Sequence, residues 1–377
     1  MTKKLEVAIA AGGTAGHVNP ALALAEQLRD RGHHVRFYGE TRRLEGKLVP
    51  QAGFELVPIH VTGFDRERPW TLVPALYHLT AEKFRLLSYM DKHPECVPDV
   101  AVGFGAYIEL PLVQVCSKRH IPIVLHEQNS VSGLANRLSA RNADLIAIAQ
   151  PSVRKVFEQK KAPKTKIEEI GNPVRKSVLS GSRTAGRSSM GIPLDAFVLL
   201  VFGGSLGAVH LNTAFFNRVH EVLAHKNVYI VHSTGKNDFD RISELVKGLD
   251  SQLQKRYKVC SYIDNMGDML AAADVCISRS GASSVAEISS LGVPAILVPY
   301  PYATADHQTT NARFLVDVGA AMLVSDSHLD TTDFSEKLMQ MIEDKDLRQS
   351  MHAQSCGLDQ AHAAERLADA VEQISLK

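Results

Sequence analysis

The chain's most suggestive feature is a turn of small residues between an apolar run and a helix-like repeat. Residues 280–284 form this turn, after a run at 273–277 and before a repeat at 285–291. Such a strand-to-helix turn presents backbone N–H groups, and the helix dipole there favours an anion. Glu287 lies about one turn into the helix, where its carboxylate suits the vicinal hydroxyls of a ribose. The pattern therefore predicts a nucleotide-binding loop.

A second polar loop follows the next predicted strand, at 295–298. It carries Asp306, His307, Gln308 and Asn311. In a doubly wound parallel sheet, ligands bind at the carboxyl ends of neighbouring strands. We therefore expect this loop and the 280–284 turn to serve one ligand.

Near the N-terminus, the glycine loop 12–17 follows a predicted strand at 5–11, and we expect Pro20 to open the next helix. His17 stands at the mouth of this loop, where a neutral imidazole suits a general base near neutral pH. A capping or surface role is the alternative. The loop lacks the GxGxxG spacing and the acidic partner that a nicotinamide cofactor requires, so we predict no cofactor.

Polar side chains also follow the predicted strand 121–125, as Glu127, Gln128 and Asn129, and Tyr107 follows the strand 100–103. The polar trio either caps the helix that comes next or binds the hydroxyl and amide groups of an acceptor. The sequence leaves both interpretations open.

A strand, glycine loop and helix occur twice, at 5–30 and again at 198–223. The lysine-rich segment 150–169 looks like a crossover between two domains, and 181–189 looks like a flexible surface stretch. We predict an α/β protein of two Rossmann-like domains whose parallel sheets face a central cleft. The domains are 1–165 and 166–357, with a last helix in 358–377 packing back on the first.

Composition narrows the function. The 377 residues are 45% hydrophobic and 22% charged with a net charge of +1, which gives no basic footprint for nucleic acid. Five scattered cysteines suggest reduced thiols in a cytosolic protein, and no apolar run approaches the ~20 residues of a membrane span. Without metal-binding motifs, two phosphate-friendly loops point to metal-independent group transfer from a nucleotide sugar.

The segment 62–90 mixes apolar residues with Trp70 and several basic side chains. The basic residues are Arg66, Arg68, Lys83 and Arg85. Either the segment is a helix packed on the sheet, or it is an interfacial patch that meets anionic lipid.

Several motifs together resemble the bacterial MurG family. In chain order they are GGTAGHVNPALALAEQL, LHEQNSVSGLANR, GNPVR, VFGGSLGA and RSGASSVAEISSLGVPAILVPYPYATADHQTTNA. The resemblance implies a GT-B fold and an inverting, metal-independent N-acetylglucosaminyltransferase that moves GlcNAc from UDP-GlcNAc to the MurNAc C4 hydroxyl of undecaprenyl-linked lipid I. The product would be lipid II, made for peptidoglycan on the cytoplasmic face of the cell membrane by a peripheral protein, with cell-wall synthesis proteins as possible partners.

The resemblance also implies roles for individual residues. In the first half, His17 is the expected base and Glu127 the second candidate, beside Tyr107 on the acceptor side. The loop residues expected near the donor sugar and the acceptor pyrophosphate are Thr14, Ala15, Gly16 and, for the sugar alone, Asn129.

In the second half, Arg175 and Ser205 are expected toward the diphosphate, and Gln308 toward the sugar. The residues expected to hold the uracil and ribose are Ile263, Ala282, Ser283, Ser284, Val285, Ala286 and Glu287. The chain departs from the family pattern at Ala15, Leu206 and His307. Two alternative functions are another GT-B lipid glycosyltransferase and a non-catalytic nucleotide-sugar-binding protein.

Overall fold

The computed structural model describes residues 3–63, 68–204 and 207–376. Two compact units are present. The first is the chain up to Arg175 together with the segment from His362, and the second is Lys176–Ala361.

The first unit alternates strands and helices. Its elements are β1 (Glu6–Ala10), α1 (Ala15–Asp30), β2 (His34–Gly39), α2 (Leu44–Gln51), β3 (Glu55–Pro58), α3 (Leu72–Lys92), β4 (Val100–Gly103), α4 (Glu109–Lys118), β5 (Ile123–Glu127), α5 (Leu134–Ser139), β6 (Leu145–Ile148), α6 (Arg154–Glu158) and β7 (Lys166–Glu169).

The second unit repeats the plan. Its elements are α7 (Lys176–Leu179), α8 (Arg183–Ser189), β8 (Phe197–Phe202), α9 (Val209–Phe216), α10 (Val219–Ala224), β9 (Val228–Ser233), α11 (Phe239–Lys247), α12 (Ser251–Arg256), β10 (Tyr257–Cys260), α13 (Met266–Ala272), β11 (Val275–Ser278), α14 (Ala282–Leu291), β12 (Ala295–Leu297), α15 (His307–Val316), β13 (Ala321–Leu323), α16 (Thr332–Glu343) and α17 (Lys345–Cys356). The chain then returns to the first unit as α18 (Ala363–Ser375).

Short 3₁₀ turns join several of these elements. They are Pro69–Thr71, Pro94–Cys96, Ala140–Asn142, Pro151–Val153, Thr304–Asp306, Asp326–His328 and Gln360–His362.

Both sheets are parallel. Among the described residues, the first has seven strands in the order β3-β2-β1-β4-β5-β6-β7, and the second has six in the order β10-β9-β8-β11-β12-β13. The strand order reverses beside β1 in one and beside β8 in the other, which is where ligands bind in doubly wound sheets. Helices cover both faces of the first sheet, and α18 adds Leu367 and Val371 to the core around Ile9 and Leu24.

The first helix begins earlier than predicted. The Thr14 carbonyl accepts hydrogen bonds from the N–H groups of His17 and Val18, each at 3.1 Å, so α1 starts at Ala15. Pro20 therefore lies inside the helix rather than at its start. The prediction failed because proline is favoured in a first turn but is not confined to it. As a result, His17 is a helical residue.

The segment 150–169 is not a linker between domains. It contains α6 and β7, and β7 pairs with β6 from Leu145↔Lys166 to Ile148↔Glu169. The strand is an exposed edge strand, which explains its polar sequence. The first unit consequently extends to Arg175 instead of ending at 165.

The segment predicted to be flexible, 181–189, contains α8. Its Arg187 side chain is fully buried and donates to the carbonyl oxygens of Leu194 at 2.7 Å and Ala196 at 2.6 Å. The guanidinium also pairs with Asp274 at 2.9 Å. A buried charge that is paired and hydrogen-bonded in this way orders a segment whose composition resembles that of a loop.

Removing this buried charge should destabilise the second unit. Because Arg187→Leu removes one of the donors to Asp274 and leaves the carbonyls of Leu194 and Ala196 without their guanidinium donor, we expect a loss of about 3–5 kcal/mol. The matched control is Arg183→Leu, because Arg183 also pairs with Asp274, at 2.6 Å, but is half-exposed. That change should cost about 0–1 kcal/mol. Equal losses in urea unfolding would contradict the assignment.

Candidate active site

The glycine loop after β1 is held by a buried carboxylate. Glu45, from α2, is fully buried and accepts hydrogen bonds from the N–H of Gly13 at 3.1 Å and the N–H of Glu40 at 3.3 Å. Gly13 has φ +87°, which favours glycine. A Cβ at Gly12 would collide with the Glu45 carboxylate. Glu45 therefore fixes the loop that leads into α1.

His17 lies in the first turn of α1, and its ring is held from two sides. Its Nδ1 is 3.0 Å from the Thr14 hydroxyl. On the other side, a Cβ built at Gly105 would stand 3.5 Å from Nε2, so the ring packs against the backbone of the β4–α4 loop. Burial lowers the pKa of His17 to about 4. The imidazole is therefore neutral at physiological pH and able to accept a proton.

A second buried carboxylate holds the loop that packs on His17. Glu109 is fully buried at the start of α4, where its carboxylate accepts hydrogen bonds from the Gly105 N–H at 2.7 Å and the Ser139 hydroxyl at 3.1 Å. A Cβ at Gly103 would collide with it. Burial raises the pKa of Glu109 to about 8.

A third carboxylate, that of Glu127, organises the loop after β5. It is buried and accepts hydrogen bonds from the N–H groups of Asn129 at 3.1 Å and Gly133 at 2.9 Å, and from the Asn136 side chain at 2.9 Å. Burial raises its pKa. The backbone bond from Gly133 is a capping interaction, because Gly133 is the N-cap of α5.

The other polar residues after β5 differ in how far they are exposed to solvent. His126 lies against Gly171, whose carbonyl is 2.9 Å from its Nε2, and Gln128 donates to the Phe104 carbonyl at 3.0 Å. Both are buried, whereas Asn129 is partly exposed. Of these residues, Asn129 is therefore the one that a ligand could contact from solvent.

An apolar cavity of about 430 Å³ opens beside His17. Tyr107 also lines it and packs over Gly63, where a Cβ would stand only 2.8 Å from the ring. The greater part of its wall comes from α3, α4 and α5. The leucines there are Leu72, Leu76, Leu79, Leu110, Leu134 and Leu138.

In the second unit, the turn after β11 leads into α14 with Gly281 as N-cap. The N–H groups of the first turn therefore face the carboxyl edge of the sheet, as an anion site requires. Ser283 Oγ is buried without a hydrogen-bond partner among the described residues. Val285 and Ala286 are buried, so they can serve a ligand only through their backbone. Glu287 is half-buried, in the second turn.

The loop after β12 is tied to this turn. The Ser280 hydroxyl donates to the Gln308 carbonyl at 2.8 Å, and Asn311 donates to the Ser280 carbonyl at 3.2 Å. The side-chain oxygen of Gln308 accepts from the Tyr300 N–H at 3.0 Å. This bond orients the Gln308 amide so that its NH₂ group is the end able to donate to a ligand.

An ionic cluster joins three strand ends of the second unit. Arg279 pairs with Asp326 at 2.5 Å and donates to the Pro299 carbonyl at 2.9 Å. His210, in α9, is 2.7 Å from Asp326 and 2.9 Å from Asp330. These hydrogen bonds raise the pKa of His210. The cluster thus ties α9 to the loops that follow β11, β12 and β13.

Comparison with known proteins decides the family. Residues 7–148 match the glycosyltransferase family 28 N-terminal domain, and residues 198–374 match its C-terminal domain. The UDP-N-acetylglucosamine--N-acetylmuramyl-(pentapeptide) pyrophosphoryl-undecaprenol N-acetylglucosamine transferase of Halothermothrix orenii is 37% identical over 342 residues, 90% of each chain. The protein of that name in Desulforudis audaxviator is 35% identical over 99% of each chain.

The chain belongs to the MurG family. MurG of Acinetobacter baumannii has a similar structure, with a TM-score of 0.75 and 26% identity over 98% of this chain and 100% of that one. The glycotransferase of kitacinnamycin, at 17% identity and a TM-score of 0.69, shares the fold. The predicted GT-B fold is confirmed, and the chain is a glycosyltransferase.

The structure also places the other residues to which the MurG resemblance gave a role, and those at which the chain departs from the family pattern. Ala15 begins α1, so its methyl group sits in an ordinary helical backbone. Ile263 is buried after β10, and Arg175 is half-buried with Nε unpartnered among the described residues. Ser205 and Leu206 lie outside the described residues.

His307 departs from the MurG pattern without disturbing its loop. It begins α15, and its Nδ1 lies 2.9 Å from the Thr304 carbonyl. The preceding Ala305 and Asp306 have φ near +50°, a backbone that non-glycine residues rarely adopt. The imidazole therefore secures a strained turn.

Sequence reasoning missed Glu45 and Glu109. Each is an acidic residue soon after a predicted strand, but both lie among helical residues that look like a solvated or apolar face. The available signal was an acid inside the run Ile108–Cys116 that has no basic neighbour. An acid that is buried in such a run is paired or hydrogen-bonded inside the fold.

Replacing Glu109 by glutamine should change how stability depends on pH. The pKa of Glu109 is about 8 in the folded state against ~4.3 unfolded, so the stability it contributes is complete at acidic pH and is lost as pH rises through about 8. Glu109→Gln keeps an uncharged acceptor for Gly105. Its thermal midpoint should therefore exceed that of the parent at pH about 8.5, and the gain should shrink at about 5.5. A difference independent of pH would refute this.

Proposed function

We propose that this chain transfers GlcNAc from UDP-GlcNAc to the C4 hydroxyl of MurNAc in undecaprenyl-pyrophosphoryl-MurNAc-pentapeptide, with inversion and without a metal. The names of its relatives support the donor and the acceptor. The observation that carries the mechanism is the neutral imidazole of His17, held beside an apolar cavity by two fixed loops.

The second unit is suited to the donor. The N-terminus of α14 would receive the diphosphate or its neighbouring ribose, with Glu287 on the ribose hydroxyls. Gln308 would donate its NH₂ group to the sugar, since its oxygen is used by Tyr300. Ile263 and the backbone at Val285 and Ala286 would line the uracil site. The leaving UDP would be stabilised by helix N–H groups.

His17 is the better base of the two candidates. With its proton on Nδ1, directed to Thr14, its Nε2 has the lone pair that takes the C4 hydroxyl proton. The C4 oxygen then attacks C1 of GlcNAc, the bond from C1 to the phosphate oxygen breaks, and UDP leaves with the electron pair. Glu127 already accepts three hydrogen bonds, so we give it the role of positioning Asn129 and α5.

The decisive assay measures GlcNAc transfer from radiolabelled UDP-GlcNAc to a short-chain lipid I analogue in EDTA. His17→Ala should lower kcat by about 10²–10⁴. Because the pKa of His17 is about 4, the loss should be equal at pH about 6 and about 8. The control is His220→Ala, at an exposed position of α10. Transfer abolished by EDTA, or a raised KM for UDP-GlcNAc at unchanged kcat, would count against the mechanism.

The membrane-linked acceptor requires a lipid surface, and we propose that α3 meets it on the cytoplasmic face. No helix of the described chain is long and apolar enough to cross a membrane. Trp70, Val73, Tyr77 and Phe84 are exposed large apolar side chains on or just before α3. Such residues, rimmed by basic groups, suit peripheral insertion.

The basic rim is smaller than the sequence suggested. Arg85 is bound to Glu82 at 2.6 Å, and Arg66 lies outside the described residues. Arg68 and Lys83 are the other described basic residues that the sequence placed in this segment. The apolar contribution should therefore exceed the electrostatic one.

Charged substitutions on this face should weaken binding to lipid. Val73→Asp and Phe84→Asp each remove about 1.5–3 kcal/mol of apolar burial, so binding to anionic vesicles should fall roughly tenfold or more in a sedimentation assay. Leu245→Asp, at an exposed leucine of the second unit, is the control. Unchanged vesicle binding in both α3 variants would place the lipid contact elsewhere.

A further inference from the structure

The cavity beside His17 is more apolar than sugar or peptide recognition requires. Among the described residues that line it there is no Asp, Glu, Lys or Arg, and its polar side chains are those of His17, Thr62 and Tyr107. Its volume of about 430 Å³ lies in the range of ~300–1,000 Å³ typical of ligand sites. A site of this composition suits a hydrocarbon whose polar head lies near His17.

Helix α3 has two separate apolar stripes. Leu72, Ala75, Leu76 and Leu79 line the cavity with the spacing of one helical face. Val73, Tyr77 and Phe84 form the other, and none of the three lines the cavity. At about 3.6 residues per turn, the stripes lie roughly 130° apart. Binding to a membrane surface would require only the outer apolar stripe of α3.

The inner stripe is also accessible. Leu76 is 53% exposed and Leu138, across the cavity on α5, is 59% exposed, although both belong to the cavity wall. The cavity therefore opens to the surface near the outer stripe. A chain lying in the cavity could continue from there into a bilayer.

We infer that this cavity binds the first isoprene units of the acceptor's prenyl chain, next to the pyrophosphate. The inference rests on the proposed function, because the acceptor's prenyl pyrophosphate is what brings a hydrocarbon to His17. The protein thereby holds the root of the lipid itself, and the outer stripe of α3 meets the bilayer. The cavity would position the head group for His17 as well as add affinity.

The kinetic test fills the cavity and uses soluble acceptors without vesicles. Ala75→Phe places a ring in the cavity, and Ala81→Phe makes the same change at an exposed position of α3 outside it. Acceptor analogues with geranyl and geranylgeranyl chains are compared. Ala75→Phe should raise the KM for the longer chain roughly tenfold relative to the shorter one, with the KM for UDP-GlcNAc unchanged. Equal effects on both chains, or the same effect in Ala81→Phe, would overturn the inference.

A second variant, with a smaller change, keeps the inference testable if Ala75→Phe does not fold. Leu76→Asn makes the exposed mouth of the cavity polar, and Leu194→Asn is the control at an exposed leucine of the second unit. Both should keep the parental thermal midpoint. Leu76→Asn should reduce the advantage of the longer chain, and an unchanged preference would contradict the inference.

Photolabelling separates this inference from the proposed function, because it requires no transfer. Geranylgeranyl pyrophosphate carrying a diazirine on its second isoprene unit should label the cavity-lining residues of α3 or α5, and Ala75→Phe should abolish the labelling. On α3 these residues are Leu72, Ala75, Leu76 and Leu79. Labelling confined to Val73, Tyr77 or Phe84, or none at all, would reject the cavity even if GlcNAc transfer proceeds. Labelling of the cavity without transfer to any lipid acceptor would uphold prenyl binding and reject the proposed reaction.

Discussion

The first unit depends on buried carboxylates that bind the backbone of its active-site loops. Glu45, Glu109 and Glu127 hold the loops after β1, β4 and β5, each by accepting at least one main-chain N–H. Ionised or not, a buried carboxyl group without such donors would be costly, and loops without them would be free to move. These acids position His17 indirectly, because the His17 ring packs on the loops that they hold.

The second unit solves the same problem with other chemistry. Its loops are joined by hydrogen bonds from the side chains of Ser280 and Asn311 to main-chain carbonyls, and by the cluster of Arg279, Asp326 and His210. Here the tie is partly exposed and involves opposite charges, whereas in the first unit the acids are buried. His17 stays neutral in the first unit because burial, rather than a neighbouring charge, lowers its pKa.

The sequence predicted the parts of the fold that local rules govern. Small residues between an apolar run and a helical repeat located the turn at Gly281, and the two glycine loops located both sheets' strand ends. The failures at β7 and Arg187 share a cause, since each depends on tertiary contacts that override local preference. The failure at Pro20 is local, because hydrogen bonds to the Thr14 carbonyl start α1 before the proline. Likewise, Glu127 was identified but its three donors were not, because its partners come from a loop and a helix that only the fold brings together.

Two glycines of the first unit are constrained by the buried acids that pack against them. The carboxylate of Glu45 occupies the space that a side chain at Gly12 would need, and that of Glu109 stands in the same relation to Gly103. Neither member of such a pair can change by itself without either a collision or an empty space. A change at Gly12 should therefore be accompanied by a change at Glu45 among homologues. The same coupling is expected between Gly103 and Glu109, so each pair should covary.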